Sequence, residues 1–379
     1  MRQSIIRSVL SILFIVVITA GCGSNARFSE DKINVLTSFY PLYDFARKIG
    51  GDHVQVINMI PAGVDPHDWS PKSQDLINLT KGQLFVYNGA GFDDWWVEDM
   101  LASMSSDKRP HVVTASEGVS LIPVSAEAEG TSSDGHVHEH DAEEASQAHD
   151  GSEEDSHTHN VTEDEEQTNQ DDHESSEDAD EQVVAEDEHD HTDDAHASGD
   201  GHDHGDYDPH TWLSLLNAIT MASNIKDGLI AVDPEHSAEF EANYEQLKRE
   251  LIQLHEHFAQ MVEQAARREF VTSHQAFAYL ARDYGLTQLS VMGLSTEAEP
   301  TSQAIKEISD FIQQHGVRYL LMEELSSPKL AETLARDLGI EILTLNPIEG
   351  LTEEQEASGE DYLSIMRHNL ASLELALQG

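Results

Sequence analysis

The sequence predicts an α/β protein of two doubly wound lobes joined by one rigid long helix, with a polar loop inserted in the first lobe. Three observations predict it. Short β-branched runs alternate with helical segments in residues 32–124 and again in 269–379, the pattern of parallel sheets covered on both faces. Between them, residues 233–268 keep apolar side chains at steps of three and four. A run from Ser125 to Asp206 is polar and charged throughout. It cannot bury enough apolar surface to offset its ordering entropy, and it reads as disordered.

Taken in order, residues 33–38 read as a strand, 43–49 as a helix and 53–60 as a strand. Ser70 is placed to cap a helix over 73–80, followed by a strand over 84–88. A helix over 95–104 and a strand over 111–114 follow. Beyond the polar run, 213–231 reads as helical, returning to the first lobe over 208–232. The segment 234–268 starts with Pro234 and lines up Phe240, Tyr244, Leu247, Leu251, Leu254, Phe258 and Met261. As one helix it spans roughly 50 Å at ~1.5 Å per residue, a stiff connector. The second half then repeats the alternation, with strands at 270–273, 289–293, 317–322 and 341–345. Helices at 275–284, 302–314, 328–338 and 361–377 separate and follow them.

Residues 1–21 read as a signal peptide: Arg2 and Arg7, an apolar run from Val9 to Ile18, then small residues. The apolar run is too short for a typical membrane span. The single cysteine, Cys22, follows Ala20-Gly21 and looks like a bacterial lipobox cysteine, although Thr19 stands where Leu is usual. Cleavage there makes Cys22 the lipid-bearing N-terminus of a tether over 22–31. With one cysteine, no internal disulfide and no cysteine-based zinc cage form, so a folded metal site must use His, Asp and Glu.

The polar run (125–207 as a domain) holds twelve of the 22 histidines and 31 of the 72 acidic residues, with no Lys or Arg. Its histidines recur in HxH spacing at His136, His138, His140, His157, His159, His189, His191, His202 and His204. Imidazole and carboxylate are the ligands of borderline divalent metals, so the run reads as many weak zinc sites. Of the net charge of −51, the run carries −31 and leaves about −20 elsewhere. That balance excludes a nucleic-acid binder, which needs basic patches, and favours a cationic partner.

Three histidines outside the run fall at strand ends or in strand-to-helix loops. His67 lies in Asp65-Pro66-His67, His210 in Asp208-Pro209-His210, and His274 closes the strand Val271-Thr272-Ser273. Proline stiffens the loop at the first two. Glu323, at the end of the strand over 317–322, is the fourth candidate. In open parallel sheets ligands bind at the carboxyl ends of strands. Three imidazoles with one carboxylate or a water suit tetrahedral zinc. No HExxH pair supports a hydrolase, and the chain reads as a non-enzyme.

On these stretches, together with Val35-Leu36-Thr37-Ser38-Phe39-Tyr40, Tyr87-Asn88-Gly89-Ala90-Gly91-Phe92, Thr272-Ser273-His274-Gln275-Ala276-Phe277 and Asn346-Pro347-Ile348-Glu349-Gly350-Leu351, the chain resembles the metal-binding receptors of bacterial zinc ABC importers. That group also holds manganese receptors and lipoprotein adhesins. The resemblance implies a metal held in the cleft between two lobes, with His67 and His210 from the first and His274 and Glu323 from the second. It implies Zn²⁺ as cargo and an ABC permease with its ATPase as partners. The receptor is then a monomer, lipid-anchored on the outer side of the membrane. Manganese receptors resemble a two-His, two-carboxylate set, so His274 points to zinc. A manganese or iron receptor and a surface adhesin are the alternatives.

Overall fold

A computed structural model describes residues 28–124, 206–294, 301–324 and 329–378. The expected signal peptide, Cys22 and all nine HxH histidines lie outside the described residues. Among the described residues no helix is long and apolar enough to cross a membrane.

The first lobe holds strands β1 (Ile33–Thr37), β2 (Val54–Asn58), β3 (Leu84–Tyr87) and β4 (His111–Thr114). They are all parallel, in the order β2-β1-β3-β4. The second holds β5 (Glu269–Thr272), β6 (Thr287–Ser290), β7 (Tyr319–Met322) and β8 (Glu341–Thr344), parallel and in the order β6-β5-β7-β8. The two orders are the same when read from each lobe's first strand. Each sheet therefore changes winding direction between its first and third strands, β1 and β3 or β5 and β7. The carboxyl ends of those strands open the crevice where α/β sheets bind ligands.

The first lobe's helices are α1 (Tyr40–Gly50), α2 (Ser73–Leu79), α3 (Asp94–Ser103) and α4 (Leu215–Val232). Pro41 fits the first turn of α1, where its missing N–H costs nothing, and Gly51 at φ 54° ends that helix. The cap of α2 falls at Lys72 rather than Ser70, because the Asp75 carboxylate accepts the Lys72 N–H at 2.8 Å. Helix α4 returns to the first lobe after the insertion, capped by Ser214, whose hydroxyl accepts the Asn217 N–H at 3.1 Å. Its Gly228 lies so close to the sheet that a Cβ there would meet Val113 Cγ2 at 2.5 Å. The absence of a side chain lets α4 seat on β3 and β4.

The linker helix α5 (Ser237–Gln264) has 28 residues, about 42 Å at ~1.5 Å per residue. It ends four residues before the expected Arg268. Ala265 turns extended, and the Ala266 and Arg267 N–H groups donate to Leu377 O. Phe240, Tyr244, Leu247, Leu251, Leu254, Phe258 and Val262 form its buried stripe, with Met261 only partly buried beside them. It packs on α1 and α4 in one lobe and on the C-terminal helix of the other.

In the second lobe, α6 (Ala278–Tyr284), α7 (Ser302–His315), α8 (Lys329–Leu338), α9 (Glu353–Ser358) and α10 (Tyr362–Gln378) follow their strands. Boundaries of α6, β6 and β7 differ from expectation, β6 covering 287–290 instead of 289–293 and β7 starting at Tyr319 instead of Val317. Helix α6 starts three residues late because residues 274–277 form the turn that carries His274. Strand β6 starts two residues early because Thr287 pairs with Glu269. Helix α9 has no counterpart in the predicted elements.

The lobes are also joined directly. Trp212 Nε1 donates to Pro347 O at 2.7 Å, and the Tyr362 hydroxyl donates to Trp212 O. Lys48 of α1 bridges Asp44 at 2.9 Å and Asp361 at 2.7 Å. The Ser214 hydroxyl donates to the Asp283 carboxylate.

The buried stripe of α5 predicts that Leu251→Ala costs about 2–5 kcal/mol, a lost side chain plus a cavity. Ile252→Ala, on the exposed face of the same turn, should cost about 0.5 kcal/mol or less. Urea unfolding of the metal-free protein, followed by circular dichroism, measures both.

Candidate metal centre

Four loops deliver four buried side chains to one point. After β2, Asp65-Pro66-His67 forms a short turn in which Asp65 Oδ1 accepts the His67 N–H at 2.9 Å. Asp208-Pro209-His210 repeats the device, with Asp208 Oδ1 accepting the His210 N–H at 2.9 Å. An Asp carboxylate bonding the backbone two residues on fixes the turn, and the proline between stiffens it. Asn88, at the end of β3, donates to Pro209 O at 3.0 Å and accepts from the Thr211 hydroxyl at 3.2 Å. His274 leaves β5 directly, its carbonyl held by the Thr272 hydroxyl at 2.7 Å and by Gln288 Nε2 at 3.1 Å.

The fourth loop follows β8 and carries Glu349. Asn346 is locked to Asn369 of α10 by a pair of hydrogen bonds at 2.8 and 2.7 Å, and its Oδ1 accepts the Ile348 N–H at 2.7 Å. Ile348 sits at φ 58°, a conformation that costs a β-branched residue on the order of 1–3 kcal/mol. The surrounding bonds hold the strained backbone and aim Glu349 at the histidines.

One ligand atom from each of His67, His210, His274 and Glu349 lies within 4.8 Å of the others. Glu349 oxygens are 3.4 Å from His67 Nε2, 3.2 Å from His210 Nε2 and 3.8 Å from His274 Nε2. A tetrahedral ion with bonds of about 2.0–2.1 Å separates its ligand atoms by about 3.3–3.4 Å. The spacing therefore suits a four-coordinate ion with little movement. His210 and His274 are fully buried, and Glu349 and His67 are 4% and 7% exposed. His210 Nε2, His274 Nε2 and Glu349 Oε1 are buried with no hydrogen-bond partner, which is costly unless something charged satisfies them.

The far sides of the rings are held by carboxylates. His210 Nδ1 meets Asp208 Oδ1 at 2.9 Å, and His274 Nδ1 meets Glu323 Oε1. Glu323 Oε1 also accepts from the Ser273 hydroxyl at 2.8 Å. Carboxylates placed this way fix the tautomer and turn Nε2 toward a metal. Phe92 packs edge-on to His67, and Trp212 lies 5.4 Å from His210, so the rings rest on an aromatic wall.

Burial alone lowers the basicity of His67 and His210, but the carboxylates overcome it. The Glu349 charge raises His67, and Asp208 with Glu349 pushes His210 up to about 10. Against its own burial, the same two imidazoles hold the Glu349 carboxyl well below the usual carboxylate range. Burial and the Glu349 charge push Asp65 up. Without metal, His67, His210 and Glu349 form a buried cluster of mutually stabilised charges, and a divalent cation bound there would displace protons from the imidazoles.

The structure brings together His67, His210 and His274, and it puts Glu349 rather than Glu323 at the fourth corner. Glu323 follows β7, the strand beside β5, so it meets the base of the His274 ring instead of its Nε2. A usable signal was in the sequence: Glu349, like the histidines, follows the carboxyl end of a parallel strand.

Fold and site define a two-lobed α/β protein with a buried three-histidine, one-glutamate group able to hold a metal ion. The chain belongs to the family described as zinc-uptake complex component A, periplasmic, which it matches over residues 35–376. The zinc-binding protein AdcA of Streptococcus pyogenes serotype M3 is 32% identical over 347 residues, 92% of this chain but 56% of that protein, so the chain spans a little over half its length. The high-affinity zinc uptake system protein ZnuA of Bacillus subtilis is 31% identical over 374 residues, 97% of this chain and 96% of the relative. The crystal structure of the Zn(II)-bound ZnuA-like domain of Streptococcus pneumoniae AdcA is similar with a TM-score of 0.64 at 27% identity, covering 92% of this chain and 100% of that domain.

Raised His210 basicity stabilises the metal-free fold fully below the unfolded pKa of about 6.5 and is lost as pH climbs toward 10. Thermal unfolding in chelator should therefore show the margin of wild type over His210→Gln shrinking from pH 6.5 to pH 10. A margin that grows over that range contradicts the charge assignment.

Proposed function

We propose that this protein is the zinc-capturing receptor of an ABC importer. It binds Zn²⁺ outside the cytoplasmic membrane through His67, His210, His274 and Glu349 and hands it to a permease driven by an ATPase. The carrying observation is the enclosed group itself: three imidazoles and a carboxylate whose ligand atoms lie within 4.8 Å of one another. The names and the zinc-bound structure of the relatives support the same reading.

The coordination count supports cargo binding over catalysis. A catalytic zinc keeps one position open for water, whereas here four protein ligand atoms lie within 4.8 Å of one another, enough for four-coordination. Three nitrogen donors also suit zinc better than manganese, which prefers oxygen and more ligands. Binding exchanges protons for metal, so affinity rises with pH as His67 and His210 lose their protons.

Cys22 is the proposed lipid anchor, keeping a monomeric receptor at the membrane. The HxH histidines of residues 125–206 are the proposed accessory sites, raising the local Zn²⁺ concentration near the tight site. Zinc-limited growth of a deletion strain, restored by added zinc, distinguishes transport from adhesion.

Zinc titration of the metal-free protein should give one tight site in addition to the weak ones. His67→Ala and Glu349→Gln should each weaken it by about 100-fold or more, whereas Glu323→Gln, acting through His274, costs about 10- to 100-fold. A tight site that survives Glu349→Gln would sink the ligand assignment. Deleting the HxH run should leave that affinity nearly unchanged and slow uptake from scarce zinc; an unchanged uptake rate would leave the run as a spacer.

A further inference from the structure

Tyr279 of α6 is fully buried and belongs to the second lobe, yet its hydroxyl serves two residues of the first. It donates to Asp208 O at 2.7 Å and accepts from the Ile122 N–H at 3.1 Å. Ile122 and Asp208 are themselves paired, the Asp208 N–H donating to Ile122 O at 2.9 Å, and Pro123 bridges Tyr207 beside them. These residues are the two ends of the chain on either side of 125–205. One turn on from Tyr279, Arg282 lies over its ring at 5.1 Å and donates to Ser120 O at 2.9 Å. Residues three apart share a helix face, so one face of α6 grips the segment at both 120 and 122.

Asp208 is the residue that orients His210, through both its backbone N–H and its Nδ1. A displacement of the Asp208 peptide therefore turns the imidazole. We infer that Tyr279 is a positioning residue for His210, and that with Arg282 it makes α6 a clamp holding both ends of the long insertion in register with the metal group. An insertion this close to a ligand is a mechanical liability, since any pull on Tyr207 is transmitted to His210 within three residues. The phenol suits the task. Burial pushes its ionisation up to about 12, so it remains a neutral donor that also accepts. Phenylalanine keeps the ring and its packing and deletes both bonds.

This inference rests on the reading of His67, His210, His274 and Glu349 as the ion-holding group, and cobalt(II) separates the two. Full-length protein loaded with cobalt(II) reports ligand geometry in its visible ligand-field bands and ion retention in its release to excess chelator. Tyr279→Phe should shift the bands and speed release about three- to tenfold, the loss of one or two neutral hydrogen bonds. Ile122→Pro, which removes the N–H donated to the phenol while also fixing φ and replacing the isoleucine side chain, should shift the bands in the same sense. Tyr244→Phe, a buried phenol of α5 outside this chain of bonds, should leave them unchanged. Bands identical to wild type in both Tyr279→Phe and Ile122→Pro overturn the positioning role, whatever their thermal stability. Wild-type protein that gives no ligand-field spectrum overturns the ligand reading itself, and this one with it.

Discussion

A carboxylate buried among three imidazoles is the constraint around which this molecule is arranged. Glu349 is almost fully enclosed, and an isolated buried charge is too costly to keep without a partner. Its neighbours are bases whose Nε2 atoms converge on it, and burial alone would lower the basicity of His67 and His210. The cluster is stable only as a set, protonated or metallated. The flanking carboxylates Asp208 and Glu323, the aromatic wall of Phe92 and Trp212, and the Asn346–Asn369 lock all hold the set in place.

Two sheets of the same strand order make the set possible. Each offers the carboxyl ends of its strands, and the ligands leave from β2 and the segment beside β3 in one lobe and from β5 and β8 in the other. The long α5 joins the lobes at the back, while Trp212, Tyr362, Lys48 and Tyr279 tie them together around the centre. These bonds between the lobes help hold the four side chains at the spacing described above.

Most of this was legible in the sequence because it is local. Alternating short strands and helices, the stripe from Phe240 to Phe258 and the doubled Asp-Pro-His each depend on neighbours a few residues away. The resemblance to metal receptors of zinc importers rested on the same loops. What was not legible depends on pairing across the fold. Glu323 and Glu349 both follow parallel strands, and only the placement of β7 next to β5 sends Glu323 to the back of His274. The end of α5 at Gln264 was hidden for the same reason, since Leu377, which captures the next two N–H groups, lies more than a hundred residues away. The Val262 substitution for Met261 in the buried stripe reflects the true helical pitch over seven turns, which a count of threes and fours only approximates.

The left-handed Ile348 gives the centre a property that coordination chemistry alone would not. A glycine there would let the loop breathe; an isoleucine, buried in the core and bonded by Asn346, with Trp212 holding the carbonyl of Pro347 before it, leaves the next residue few alternatives. Glu349 is then set by backbone, and an ion held by the group would meet an oxygen whose position the loop fixes. For an ion held there, the stiffness of the backbone would count beside the type of donor.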